Sequence, residues 1–194
     1  MSLKERVYSV LVVSAAKELN TALLTLLPGS HYSPVKTVTS VSAGRRAWSE
    51  RSYDYVLINS PLPDDTGVRF AIDLSSSQGT VVLLFVKAEI HDDILGKVVE
   101  HGVFTLSKPL SRSVLTTALN WMASARERLR KSEKKALSFE EKMEEIRIVN
   151  RAKWLLISEL KMEEPQAHRY IEKQAMDRCI SKKEAAQEIL KIYS

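Results

Sequence analysis

The chain is short of several residue types, and each shortage narrows what it can be. A single cysteine, Cys179, rules out an intramolecular disulfide and fits a reducing cytoplasm. A buried structural thiol is its expected role. No apolar run approaches the ~20 residues of a membrane-spanning helix, and the N-terminus lacks the layout of a secretory signal. A cytoplasmic protein with no membrane contact is therefore expected. The four histidines, His31, His91, His101 and His168, show no metal-ligand spacing. No nucleophile–base pairing and no phosphate-cradling glycine loop can be found either. Catalysis, a bound metal and a cofactor are accordingly not expected. Glycine and proline number only six each, and none falls between residues 111 and 160.

What is present reads as folded protein. Hydrophobic residues make up 44% and charged residues 27%, an ordinary globular balance that argues against disorder. The net charge of +5 comes from 29 basic and 24 acidic residues. Its location says more than its size. Residues 1–122 and 133–194 are each close to neutral, and the excess sits in ASARERLRKS, with four basic residues against one acidic. Such a distribution permits nucleic-acid binding without requiring it.

Apolar runs occur at Val7–Val13, Val35–Val38, Tyr53–Ile58, Thr80–Val86 and Val103–Leu106. Most are continuous rather than alternating, as in parallel strands buried on both faces. Helical patterns lie between them at Lys17–Leu27, Ala43–Arg51, Val68–Ser76 and Asp92–His101, with Gly102 placed as a helix C-cap. Five strands alternating with helices predict an α/β fold with a doubly wound parallel sheet. Beyond Pro109 the pattern becomes one long helix with a heptad frame. Met122, Leu129, Ala136, Met143, Asn150 and Ile157 occupy one core position; Ala125, Ser132, Phe139, Ile146, Lys153 and Leu160 occupy the other. Met122, Leu129, Met143, Ile146 and Asn150 are the candidate dimerisation residues of a two-stranded coiled coil, with Asn150 fixing register. The remaining chain reads as a small three-helix bundle. Pro165 stands near one helix start, and SKKE (Ser181–Glu184) forms a capping box at another. The expected organisation is a domain over 1–122, a coiled-coil linker helix over 123–141 and a three-helix domain over 142–194.

The first domain resembles the receiver domain of bacterial response regulators, which has a flavodoxin-like fold. The likeness rests on the strand order, on LINSPLPDDTG after the third strand, and on Lys108-Pro109 within LSKPL. In that family a carboxylate at the end of the third strand takes a phosphoryl group. Acidic residues after the first strand hold Mg²⁺, and a hydroxyl residue and a lysine engage the phosphoryl oxygens. Here Asn59 takes the place of the phosphoacceptor, Ser14 and Ala15 that of the acidic pair, and Val86 or Lys87 that of the hydroxyl. Only Lys108 matches. A neutral amide is a poor nucleophile, and Mg²⁺ prefers charged oxygen ligands. The resemblance thus implies a pseudo-receiver that keeps its shape and has lost its phosphorylation chemistry. Lys108 reads more readily as a surface lysine beside a structural proline than as a residual anion contact. Asp64 and Asp65 read as solvated or capping loop residues.

The last part, EEIRIVNRAKWLLISELKMEEPQAHRYIEKQAMDRCISKKEAAQEIL, is similar to the ANTAR domain of transcription antitermination regulators. Ala152-Lys153, Ala167, Ala175-Met176, Arg178 and Ala186 carry the likeness through their spacing across three helices. It implies a homodimer that binds paired stem-loops in a leader RNA and lets polymerase read through. Lys153, Arg169, Arg178, Lys182 and Lys183 are then candidate phosphate contacts, and Tyr170 a candidate base platform. Each has a structural alternative: Lys153 along the helix seam, the arginines paired with Glu172 or Asp177, and Tyr170 in the core. Trp154 is expected to pack against the terminal helices, an exposed stacking surface being its other reading. Without phosphorylation three modes of control stay open: a regulatory protein partner at the first domain, a ligand in the altered pocket, or constitutive activity. The competing function is a signalling or dimerisation scaffold that uses protein partners and no nucleic acid.

Overall fold

The computed structural model describes residues 6–77 and 79–193. Its contacts divide the chain into two units, the first running through Glu133 and the second starting at Lys134.

In the first unit five strands form one parallel sheet: β1 (Tyr8–Val13), β2 (Tyr32–Val38), β3 (Tyr55–Asn59), β4 (Val81–Lys87) and β5 (Phe104–Lys108), in the order β2-β1-β3-β4-β5. The connecting helices are α1 (Lys17–Leu26), α2 (Val41–Glu50), α3 (Val68–Ser75) and α4 (His91–Val98), followed by the start of α5 (Arg112–Leu160). The continuous apolar runs have the expected cause, because every residue of β3 is buried. Alternate side chains feed two cores. Leu11, Val13, Val56, Ile58, Leu84 and Val86 meet Phe70, Ala71 and Leu74 of α3 and Val41 and Ala47 of α2 on one face. Val10, Val12, Leu57, Leu83 and Phe85 meet Leu23 of α1 and Leu115, Leu119 and Met122 of α5 on the other. Each fully buried Leu, Ile or Phe contributes about 1.5–3 kcal/mol relative to exposure, so this two-sided layer is the main stabilising term of the unit.

Two loops show why particular residues stand at the sheet's end. Gly67 has φ +77°, and a Cβ there would lie 2.8 Å from the Ile58 side chain. The Asp65 carboxylate accepts from the Gly67 amide at 2.7 Å and sets the turn into α3. Asp64 accepts from the amides of Val41 and Ser42, each at 2.9 Å, and so caps α2 from a distant loop. Those two amides, Ser42's first, hold its carboxyl down at about 2. The capping role expected of this loop is met by Asp64.

One helix, α5, runs for 49 residues within the glycine- and proline-free stretch. Its opening turns complete the first core, and this corrects the expected dimer seam: Met122 is only 1% exposed and packs beneath the sheet. The heptad frame starts too early, since both Met122 and Ala125 pack on the first domain, because an apolar residue facing its own domain has the same spacing as one facing a partner. Farther along, Leu129, Phe139, Met143, Ile146 and Asn150 are exposed.

The second unit packs the end of α5 against α6 (Glu164–Asp177) and α7 (Lys182–Tyr193). Its core is Ala152, Leu156, Ala167, Ile171, Ala175, Ala185, Ala186 and Ile189. Five of these eight are alanines, so the helices can approach closely over small side chains. The SKKE capping box forms as expected: Ser181 accepts from the Glu184 amide at 3.1 Å, and Glu184 accepts from the Ser181 amide at 2.8 Å. Cys179 departs from its expected burial. It is exposed, with φ 51°, at the left-handed position that ends α6. The Ile180 amide bonds back to the Ala175 carbonyl at 3.0 Å and the Cys179 amide to that of Met176 at 3.2 Å, a Schellman closure. Glycine is the usual occupant there, which is why composition alone misplaced the thiol.

Candidate functional site

The first site lies where β1, β3 and β5 end. Asn59 is buried, and its amide bridges two neighbours: Nδ2 donates to Ser14 Oγ at 3.2 Å, and Oδ1 accepts from Lys108 Nζ at 3.1 Å. Lys108 Nζ also donates to the Ser60 carbonyl at 2.5 Å. Burial first, and the Lys87 ammonium second, push the Lys108 pKa below the usual lysine value. Lys108 is thus no bystander on the surface. It reaches inward to the amide, which corrects the surface-lysine reading. Ser14 is wholly buried and also accepts from the Ala16 amide at 3.2 Å.

The remaining expected pocket residues are elsewhere. Val86 is buried in the core against α2 and α3, on the opposite face of the sheet, and so leaves the set. Ala15 is exposed at the β1–α1 turn. The cavity beside Asn59 and Lys108 measures about 540 Å³ and is lined largely by α1 and the β5–α5 turn, including Leu19, Leu26, Leu110 and Leu115. Glu18 and Arg112 at its rim were not singled out from the sequence, since a charged residue in a first helical turn is unremarkable there. Chemically this site offers an ammonium and an amide but, at Asn59, Ser14 and Ala15, no carboxylate to accept a phosphoryl group or hold a hard cation.

The second site is the surface of the three-helix unit, and the structure splits the expected RNA contacts. Lys153 pairs with Glu164 at 3.1 Å and Lys182 with Glu172 at 2.6 Å. Arg178 forms a two-point pair with Glu188, one contact at 3.0 Å, which raises the arginine pKa and lowers that of the glutamate. Three of the five expected cations are therefore neutralised within the unit. Among the described residues no ion pair forms at Arg169 or Lys183; Arg169 is exposed and Lys183 half-buried. Tyr170 is half-buried against the core and serves packing. Trp154 reverses its expectation: the residue is 72% exposed. The core of α5 is taken by Ala152 and Leu156, so a residue between them faces outward.

Comparison with known proteins agrees with both halves. Residues 138–190 match the family model of the ANTAR domain. The chain is similar to the transcriptional regulatory protein PdtaR of Mycobacterium tuberculosis, with 28% identity over 138 residues, 71% of this chain and 67% of the relative. Among solved structures, its first unit is similar to the signal receiver domain of an HD domain-containing protein from Pseudomonas fluorescens Pf-5. That match has a TM-score of 0.57 at 19% identity and covers 68% of this chain and 96% of the other. A CheY-like receiver domain from Methylobacillus flagellatus matches with a TM-score of 0.51 at 22% identity, over 60% of this chain and 98% of that one.

Proposed function

We propose that this chain, with its receiver-fold first domain and ANTAR match, is an ANTAR-domain response regulator that binds paired RNA stem-loops as a homodimer and acts in transcription antitermination. The observation that carries the reading is the ANTAR match over residues 138–190, which falls on a complete three-helix unit with its own core. The name of the relative PdtaR points the same way, toward transcriptional regulation. The chain works by binding, not by catalysis.

The dimer is supported by Phe139, Met143 and Ile146, exposed at heptad spacing on one side of α5. Apolar side chains at that spacing are what a second helix covers. Phosphoryl transfer does not switch the first domain. Asn59 is neutral and committed at both ends of its amide, and the residues after β1 are Ser14 and Ala15. Nothing at those positions offsets the charge of an incoming phosphoryl group or of its metal. Regulation then falls to a protein partner at the first domain, or the protein is active throughout.

A gel-shift titration tests this with a tandem two-stem-loop RNA, a scrambled RNA of equal length and a duplex DNA. Each is run with and without prior acetyl phosphate and magnesium. Selective binding of the paired stem-loops, indifferent to the phosphodonor, is expected. Equal affinity for all three nucleic acids, or none for any, would instead favour the scaffold reading that the internal ion pairs of Lys153, Arg178 and Lys182 suit.

A further inference from the structure

Among the described residues of the second unit Trp154 is the most exposed aromatic side chain, and its surroundings specify what it meets. It lines a cavity of about 290 Å³ with Asn150, Lys153, Ile157 and Glu164. Arg147, Arg151 and Trp154 follow one another at i, i+4 and i+7, which puts them on one face of α5. Both arginines are exposed, and among the described residues neither forms an ion pair. This contrasts with Lys153, Arg178 and Lys182, whose charges are spent on glutamates. The face therefore combines unspent positive charge, a bare indole and a shallow cavity with a donor and acceptors at its edge.

Resting on the RNA-binding reading above, we infer that Trp154 is a stacking platform for one unpaired loop base, with Arg147 and Arg151 on the adjoining phosphates. An indole plane gives a base a large, sequence-tolerant contact, and arginines beside it supply backbone charge. The Asn150 amide carries both a donor and an acceptor for the base edge. Glu164 adds an acceptor, so a base with an exocyclic amine fits better than uracil. Trp154 lies on the same side of α5 as Met143, eleven residues earlier, so the second copy's helix is the competing occupant of this face. Arginine set against arginine disfavours that pairing here, whereas phosphate neutralises both.

The test uses the full chain, the tandem stem-loop RNA, and the same RNA with loop positions made abasic one at a time. Trp154→Ala should weaken binding about tenfold, and Trp154→Phe should restore most of it. At one loop position the abasic RNA should show a similar loss in the unaltered protein and no additional loss in Trp154→Ala. In a Trp48→Phe/Trp121→Phe background, the remaining emission should be quenched by the intact RNA and not by that abasic RNA. Full RNA affinity in Trp154→Ala overturns the inference while leaving RNA binding intact. So do losses that multiply, or a shift from dimer to monomer that accounts for the loss. No RNA binding by the unaltered chain removes the functional reading and this site together. Circular dichroism of Trp154→Ala should match the unaltered protein, since the ring lies outside the core.

Discussion

Replacing Asp54 with Asn should loosen the attachment of α5 to the first unit. Asp54 accepts from the Ser9 amide, the Ser9 hydroxyl and Arg126 Nε, each at 2.9 Å. Arg126 in turn reaches Glu133 at 3.3 Å. The side chains of Asp54 and Arg126 are 26% and 15% exposed, so the pair is neither a surface contact nor fully buried. Exposed pairs contribute about 0.2–1 kcal/mol, and removing one partner of a buried pair costs about 3–5 kcal/mol. A loss of about 2 kcal/mol at pH 7 follows from the intermediate burial. Burial alone would raise the Asp54 pKa, but the Ser9 amide and Arg126 outweigh it and the net shift is downward. A carboxyl lowered on folding adds stability above its unfolded value of about 3.9 and loses it as pH falls through the folded pKa. Urea denaturation, followed by near-ultraviolet circular dichroism of the Tyr8–Tyr32–Tyr55 cluster, should show a gap between the two proteins at pH 7 that narrows as pH falls below about 3.9 and on through the lowered folded pKa. A gap below about 0.5 kcal/mol at pH 7, or one unchanged on acidification, would refute the reasoning.

Three further outcomes are expected. Asn59→Asp should gain no phosphoryl adduct from acetyl phosphate and magnesium, as read by intact mass, because Ser14 and Ala15 still offer no charged metal ligand. Ile146→Asp should shift sedimentation of the full chain toward monomer while leaving helicity unchanged, since this side chain is 51% exposed. Ala186→Leu should cost the second unit about 1–3 kcal/mol or more by overpacking, seen as an earlier thermal transition, because Ala186 is wholly buried.

The strands were legible because burial on both faces leaves an uninterrupted apolar run, as in Tyr55–Asn59. Helix ends were legible where a local rule fixes them, as at Gly102 and Ser181–Glu184. Tertiary choices were not. Met122 and Phe139 stand at heptad-related positions, yet one fills a domain core and the other is exposed. Nothing local separates them; the difference is which surface the helix has met by that turn. Lys108 looked like a surface residue because its partners, Asn59 and Ser60, come from the end of another strand and the residue after it. The charges of Arg178 and Lys182 looked available for the same reason: Glu188 and Glu172 reach them across helices, ten residues away in the chain.

The most direct measurement is single-round transcription of a template with a paired stem-loop leader followed by a terminator, with and without the purified chain. More read-through is expected with the protein, unchanged by acetyl phosphate and abolished when either stem-loop is deleted. Termination that stays at its protein-free level, on a template whose RNA the protein binds, would contradict an antitermination role.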